Sequence, residues 1–376
     1  MSVLKRNNKR IPQYDLMRAA AMFLVVYVHS SFMFNFTLST DSNQAGLYWF
    51  TSVLALACNA LFFMVSGKFN LVQGARLEVE GYRIFYIKKV IDLLLPVAVY
   101  AVAFWVLRFV GMKVFGAWDD GVGFWDLRAF LGTVHQLLMS SWWFVPMIFS
   151  LMIFTPFLGR MIDGLKIKEV YLLLGAVFGC AAIVAIEVLL GFTTVFSTFF
   201  KVMFGIWAAI YVLGYVIDLI EVSTKALSRW YMLAGALVTL FGFVFVLFPE
   251  ISLSTDGTPA PGWNGLLSAV FYPVIAGALF LYVKNITISS ERLRRAVEFL
   301  GNRAFGIYLI HFCFFFSYLH LLPDWLRSSD NAVGGIAKRI VITLIVYFAS
   351  LIVATLIDLL VVAPAQKRLK TVLLKA

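Results

Sequence analysis

Residues 15–36, DLMRAAAMFLVVYVHSSFMFNF, decide how the rest of the chain is read. A helix needs about twenty mainly apolar residues to cross the hydrocarbon core of a bilayer. This stretch supplies them, with Asp15, Arg18 and His29 as its ionisable side chains. It is too long for the apolar core of a cleaved leader, and no small-residue cleavage site follows it. Working outward, similar apolar runs occupy 47–67, 89–110, 142–158, 170–190, 198–217, 231–249, 264–283, 304–322 and 339–362. The fourth is short, and extending it back through Leu137–Ser141 would lengthen it.

Composition agrees. Apolar and aromatic residues make up 62 % of the chain and charged residues only 14 %, too few to coat a soluble domain of this size. No polar linker separates compositionally distinct halves, and no internal repeat is visible. The expected class is therefore all-α and polytopic. One transmembrane domain of about ten helices spans 1–376, with short basic tails at 1–14 and 363–376.

The connections sort by charge. Twenty-three Lys and Arg fall in the N-terminal segment, in alternate connections and in the C-terminal tail. The other connections hold six: Arg108, Lys113, Arg128, Arg327, Lys338 and Arg339. Positive residues favour the cytoplasmic side, so both ends are expected in the cytoplasm. The same scatter into short clusters argues against nucleic acid as a partner. The cysteines (Cys58, Cys180, Cys313) lie inside apolar runs without metal-like spacing, and no metal site is expected. Two connections look structured: 124–139 as an outer interfacial segment, and 290–300 as a basic helix along the inner surface. The segment 249–262 reads as a plain loop. Asn285-Ile286-Thr287 matches a glycosylation sequon but falls on the inner side.

Ionisable groups within spans are costly and point to function. Arg18 and His29 are eleven residues apart, about 1100° of helix, so they share a face roughly 16 Å apart along the axis. Arg18 would sit near the inner surface, with Asp15 in reach as a partner, and His29 past the midplane. The plainer readings are a snorkelling arginine and a packed histidine. An inner-surface Arg suits an anion, and a deep neutral imidazole suits proton transfer. A ligand phosphorylated at one end and reactive at the other would meet both, and acyl-coenzyme A has that form. Elsewhere, His311 with Tyr308 one turn before it is a candidate for contact with substrate or else a packed, satisfied histidine, and Glu187 in the fifth span either faces the acceptor or is solvated at the outer interface. His135, His320 and Lys201 read as interfacial. Asn59, Ser66 and Gly67 mark a face for close helix packing. Trp142 and Trp143 belong to an aromatic belt, or Trp143 offers a sugar a stacking surface.

The spaced pair Arg18…His29 resembles the Arg-x10-His signature of the acyltransferase 3 family of membrane O-acyltransferases. Further segments are similar to that family: LFFMVSG at 61–67, YRIFYIKKVIDLLLP at 82–96, WWFVPMIFSLMIFTPFL at 142–158 and FGIYLIH at 305–311. They spread over nearly the whole chain in the family's order, closest to members that acetylate bacterial surface glycans. The resemblance implies a multi-pass protein of the bacterial inner membrane. It also implies ten core spans, acetyl-CoA or another acyl-CoA as cytoplasmic donor, and an envelope polysaccharide or lipid-linked glycan as acceptor. His29 would be the catalytic histidine and Arg18 its motif partner. The basic inner connections, which do not follow the family's pattern after the second span, suggest that Arg18 and some of Arg83, Lys88 and Lys89 hold the donor's phosphates. Lys68 departs from the family by following Ser66-Gly67 where many members carry an apolar residue. The chain shows no appended soluble domain of the kind some members have, so it is expected to act alone or to hand its product on.

Two other readings stand beside this one. A transporter or flippase for a glycan or lipid intermediate would use His29 and Glu187 for proton coupling. Broken spans in matching halves would favour it; Pro96, Pro146 and Pro273 interrupt spans, but not at matching positions of two halves. An assembly scaffold would leave Arg18 and His29 without a purpose.

Overall fold

The computed structural model describes residues 11–31, 42–116, 121–191, 205–219, 223–254, 258–329 and 331–374. Within these residues the regular elements are helices, with one isolated antiparallel bridge between Leu253 and Pro259. In chain order, α1 is Pro12–Ser30, α2 Ser42–Ala55 and α3 Ala57–Ala75. They are followed by α4 Val79–Lys89, α5 Leu95–Phe115, α6 Leu127–Met139 and α7 Phe144–Gly164. Next come α8 Ile167–Leu189, α9 Ile206–Leu219, α10 Thr224–Leu247 and α11 Pro261–Lys284. The chain closes with α12 Glu291–Ser317, α13 Ala332–Ile357 and α14 Ala363–Leu373. Among the described residues, eight helical stretches are long and apolar enough to cross a membrane. The all-α polytopic class follows, and α1 and the shorter apolar α9 lie at the two remaining expected positions. Lys201 falls outside the described residues.

Several elements run further than hydropathy alone suggests. The second expected span continues to Ala75, the third starts at Val79, and the last continues to Leu373. Residues 363–373 are therefore helix and not a loose tail, and Tyr14 is buried within α1. The fourth span does not reach back: α6 ends at Met139, and α7 starts afresh at Phe144. The basic segment 290–300 is not a separate surface helix. It forms the first turns of α12, because Ser290 caps that helix by accepting from Leu293 N–H. Arg294 with Glu291 and Glu298, and Arg295 with Glu291, then pair along the same helical face.

The prolines do not break their helices. Pro96, Pro273 and Pro364 each follow a π-helical turn, at Val90–Leu94, Leu267–Phe271 and Asp358–Val362 respectively. A proline ring collides with the carbonyl four residues earlier. That carbonyl belongs to Asp92, Ala269 or Leu360, the middle residue of each π turn. The wider turn moves it aside, and the helix continues. Pro146 lies in the first turn of α7, where helical N–H groups have no partner to lose.

Small residues set the packing. A Cβ on Gly67 of α3 would strike the backbone of Tyr211 in α9, and one on Gly214 of α9 would strike Met64. Gly159 of α7 meets Ala75 and Leu71 of α3 in the same way. α3 is thus clasped between α7 and α9, while α12 lies against α1, α5 and α13. Lys68, the departure from the family pattern, has a local reason. Asp218 of α9 accepts from both Lys68 and the Tyr14 hydroxyl, and Lys284 of α11 stands 3.5 Å away.

Candidate active site

Close approach of α1 to α12 brings the central residues together. A Cβ on Gly301 would lie 2.6 Å from the Asp15 Cβ, so only glycine admits α1 at this level. Further along the same pair of helices, His29 Nδ1 and His311 Nε2 are 2.9 Å apart. Their rings are nearly parallel, and Phe312 packs on His29 with ring centroids 4.4 Å apart. His311 is fully buried, and its Nδ1 lies 2.7 Å from the carbonyl of Tyr308 and 3.2 Å from that of Ile307.

These contacts assign the protons. A carbonyl only accepts, so His311 Nδ1 carries a hydrogen and donates it. The neutral ring then offers Nε2 as an acceptor, and His29 must donate to it from Nδ1. His29 Nε2 is left with the lone pair. A base whose tautomer is fixed by a second group, itself held by a third, is the arrangement that nucleophile-activating sites use.

Two cavities lie along α12 on either side of this pair. The first, of about 320 Å³, is bounded by Arg18, Asn59, Ser66, Lys89, Asp92 and Tyr308, among otherwise mostly apolar walls. Arg18 pairs with buried Asp15 at 2.9 Å, and its guanidinium lies over the Phe69 ring. Lys89 donates to the Asn70 side chain at 2.5 Å. The second, of about 330 Å³, is more polar, with Arg108, Thr133, Gln136, Ser140, Ser141 and Ser317 on its walls. On α12 the first cavity touches Gly301 to Tyr308 and the second touches Phe316 and Ser317. At 1.5 Å per residue, His311 stands about 5 Å past the first and about 8 Å short of the second. Tyr308 forms part of the partition: its hydroxyl donates to the Ser141 carbonyl at 3.0 Å and lies 3.3 Å from the Phe144 N–H.

Arg339 is the residue that sequence reasoning misplaced. Counted among the outer connections, it is in fact fully buried in α13, with its guanidinium on the last turn of α1. The signal was present: AVGGIAK before it and IVITLI after it are both apolar enough to belong to one helix. A hydropathy threshold starts that span at the arginine, whereas the helix starts at Ala332.

The other expected site residues separate. Arg18 and Lys89 share the first cavity, while Arg83 and Lys88 are exposed on α4 outside it. Tyr308 borders that cavity, and His311 meets His29 instead of facing open space. Glu187 lies on α8, whose neighbours are α9 and α11, and borders neither of the two cavities. Trp143, half-buried, packs among Phe63, Phe144 and Trp207, and Trp142 is fully buried, so Trp142 presents no ring to a lipid interface. His135 is exposed, and His320 Nε2 stands 2.7 Å from the Phe115 carbonyl. Among the described residues no group of three His, Cys, Asp or Glu side chains is placed to hold a metal ion.

Residues 11–359 match the sequence model of the acyltransferase 3 family, described as an acyltransferase domain. No curated protein and no solved structure matches.

Proposed function

The chain belongs to the acyltransferase 3 family and is a multi-pass membrane acyltransferase, and from that premise we propose that it is an O-acetyltransferase. In this reading it moves an acetyl group from acetyl-CoA to a hydroxyl of an envelope glycan or its lipid-linked precursor, in a bacterial inner membrane. The observation that carries the reading is the fixed tautomer of His29 at a level between two cavities of different chemistry.

The first cavity suits the donor. Arg18 and Lys89 offer positive charge to phosphate, and the apolar walls suit a pantetheine arm that ends near Tyr308. A volume of about 320 Å³ is ordinary for a bound small molecule, so the nucleotide end would remain at the mouth. The second cavity suits the acceptor. Its amide, hydroxyl and guanidinium groups match a polyhydroxylated ring. Arg108 lies over the Trp105 ring and donates to Thr133, which fixes its position there. Charge distribution supports a donor reached from the cytoplasm and both chain ends on that side.

In the reaction, His29 Nε2 accepts the proton of the acceptor hydroxyl as its oxygen attacks the thioester carbonyl. The new C–O bond forms, the C–S bond breaks, and the same proton passes from the imidazolium to the departing thiolate. His311 stabilises the cation by accepting from Nδ1, as its own donation to Tyr308 raises its capacity to do so. Attack by His29 itself, giving a transient acyl-histidine, uses the same lone pair.

The test uses the purified full-length protein and labelled acetyl-CoA with envelope glycan as acceptor. Transfer by the wild type and its loss in His29→Ala are expected. A His29→Ala protein that still transfers label would overturn the reading. Heat stabilisation by acetyl-CoA in detergent would separate it from the transporter alternative, for which no such stabilisation is expected.

A further inference from the structure

We infer that Arg339 is a positioning residue for the reaction: it holds the last turn of α1 from α13 and so fixes where His29 presents its lone pair. The inference rests on the acyl-transfer reading above.

Its contacts surround His29 in sequence. Arg339 Nε and Nη2 donate to the carbonyl of Tyr27 at 3.0 and 2.6 Å, and Nη2 reaches that of Val28 at 3.4 Å. Nε also donates to the Ser30 hydroxyl at 3.0 Å, and Nη1 to the Ser52 hydroxyl of α2 at 2.8 Å. The guanidinium plane is set by the Tyr27 ring, whose centroid lies 3.8 Å away. Thr343, one turn further along α13, completes the clamp. Its hydroxyl donates to the Arg339 carbonyl at 2.8 Å and lies 3.4 Å from the Ser30 hydroxyl.

The last four carbonyls of a helix have no helical partner. In α1, which ends at Ser30, they include those of Tyr27 and Val28. They are buried here, and local groups already meet part of their need: the Ser30 hydroxyl donates to the Tyr27 carbonyl at 2.7 Å, and the Ser31 hydroxyl and N–H donate to that of Val28. A cation also suits the negative end of the helix dipole. A hydroxyl or an amide would satisfy a carbonyl at less desolvation cost than a fully buried guanidinium. What the planar fork adds is direction. It grips two carbonyls and two hydroxyls at fixed angles, so α1 can neither rotate nor slide at the level of His29. The Nδ1–Nε2 contact with His311 depends on that placement, and so does the line from Nε2 to a substrate hydroxyl. Displacing a catalytic group by about 1 Å costs on the order of 10²-fold in rate.

The experiment compares wild type, Arg339→Lys and Ser52→Ala as full-length proteins in detergent. Steady-state kinetics with acetyl-CoA is combined with ¹⁵N NMR of labelled histidines, the His29 signals being assigned through His29→Gln. Lysine keeps the charge but cannot form the fork. Arg339→Lys should lower kcat on the order of 10²-fold while the KM for acetyl-CoA stays within about twofold, and Ser52→Ala should lower kcat less. The His29 Nδ1–H signature should weaken in Arg339→Lys. The inference is overturned by wild-type kcat and an unchanged His29 spectrum in Arg339→Lys. A KM that rises in step with the fall in kcat/KM overturns it too, since that pattern means lost donor binding at unchanged turnover; kcat is taken per folded protein, measured by the fraction that unfolds cooperatively on heating, because a loss of fold alone lowers apparent kcat at constant KM. If the wild type itself transfers no acetyl group, the acyl-transfer reading fails. The His29 spectrum of Arg339→Lys would still report whether Arg339 sets the imidazole.

Discussion

Replacing His311 by phenylalanine should lower turnover far more than donor affinity. The change keeps an aromatic ring in a fully buried site but removes the acceptor for His29 Nδ1–H. His29 would then be free to carry its hydrogen on Nε2, which cannot accept a proton. A fall in kcat on the order of 10²-fold is expected, within the range for proton-transfer assistance, at nearly constant KM for acetyl-CoA. Initial-rate kinetics checks it. The opposite pattern is expected at the far end of the first cavity. Lys89→Ala should raise that KM several-fold, as about 1 kcal/mol of charge-assisted contact is lost, and change kcat little. At this scale the sequence was partly legible. Arg18 and His29 stood out because both lie on one helix, where spacing gives the shared face. The partner of His29 lies 282 residues away and that of the α1 carbonyls 312 residues away. No periodicity links positions on different helices, so His311 was read as a substrate contact and Arg339 as an outer-surface charge.

Element packing gives a sharper contrast than any single contact. Gly67→Ala should destabilise the protein, because the added methyl group meets the backbone of Tyr211, which cannot yield as a side chain can. Gly235→Ala on α10 meets nothing within 4 Å and should be neutral or stabilising by up to about 1 kcal/mol, from helix propensity alone. Thermal unfolding of both variants in the same detergent measures the difference, and a Gly67→Ala protein as stable as Gly235→Ala would contradict the packing argument. Hydropathy found the apolar runs because each helix carries its own signal. It misjudged their ends because a helix can continue past its apolar run on exposed polar residues that carry no hydropathy signal. α12 shows this: its first turns are basic, and capping and ion pairs extend the helix through them. The prolines were misread as breaks for a related reason. A π turn absorbs the clash at no visible cost in sequence, since it uses ordinary residues such as Val90–Leu94.

Orientation in the membrane decides which cavity meets which substrate, so it is the prediction on which the whole molecule turns. Moving Arg339 from the outer connections into the bundle changes the count to 23 basic residues against five, since six minus one is five. The bias toward a cytoplasmic N-terminus is thereby strengthened. α12 starts on the side of the basic turns, and it passes the first cavity, His311 and the second cavity in that order. Asp324, which follows α12, is almost fully exposed, and Arg292, at its start, is exposed as well. Single cysteines at Asp324 and Arg292, in a background lacking Cys58, Cys180 and Cys313, should therefore react from opposite sides. A membrane-impermeant maleimide added to intact cells should label Asp324→Cys at once, and Arg292→Cys only after the membrane is opened. The reverse result would place Arg18 and Lys89 on the outer side, away from any cytoplasmic supply of acyl-CoA, and the assignment of the two cavities would fall with it. The expected result makes the membrane part of the chemistry. In the proposed reaction donor and acceptor would then enter from different sides, and His29 and His311 meet at a level of α12 between the two cavities.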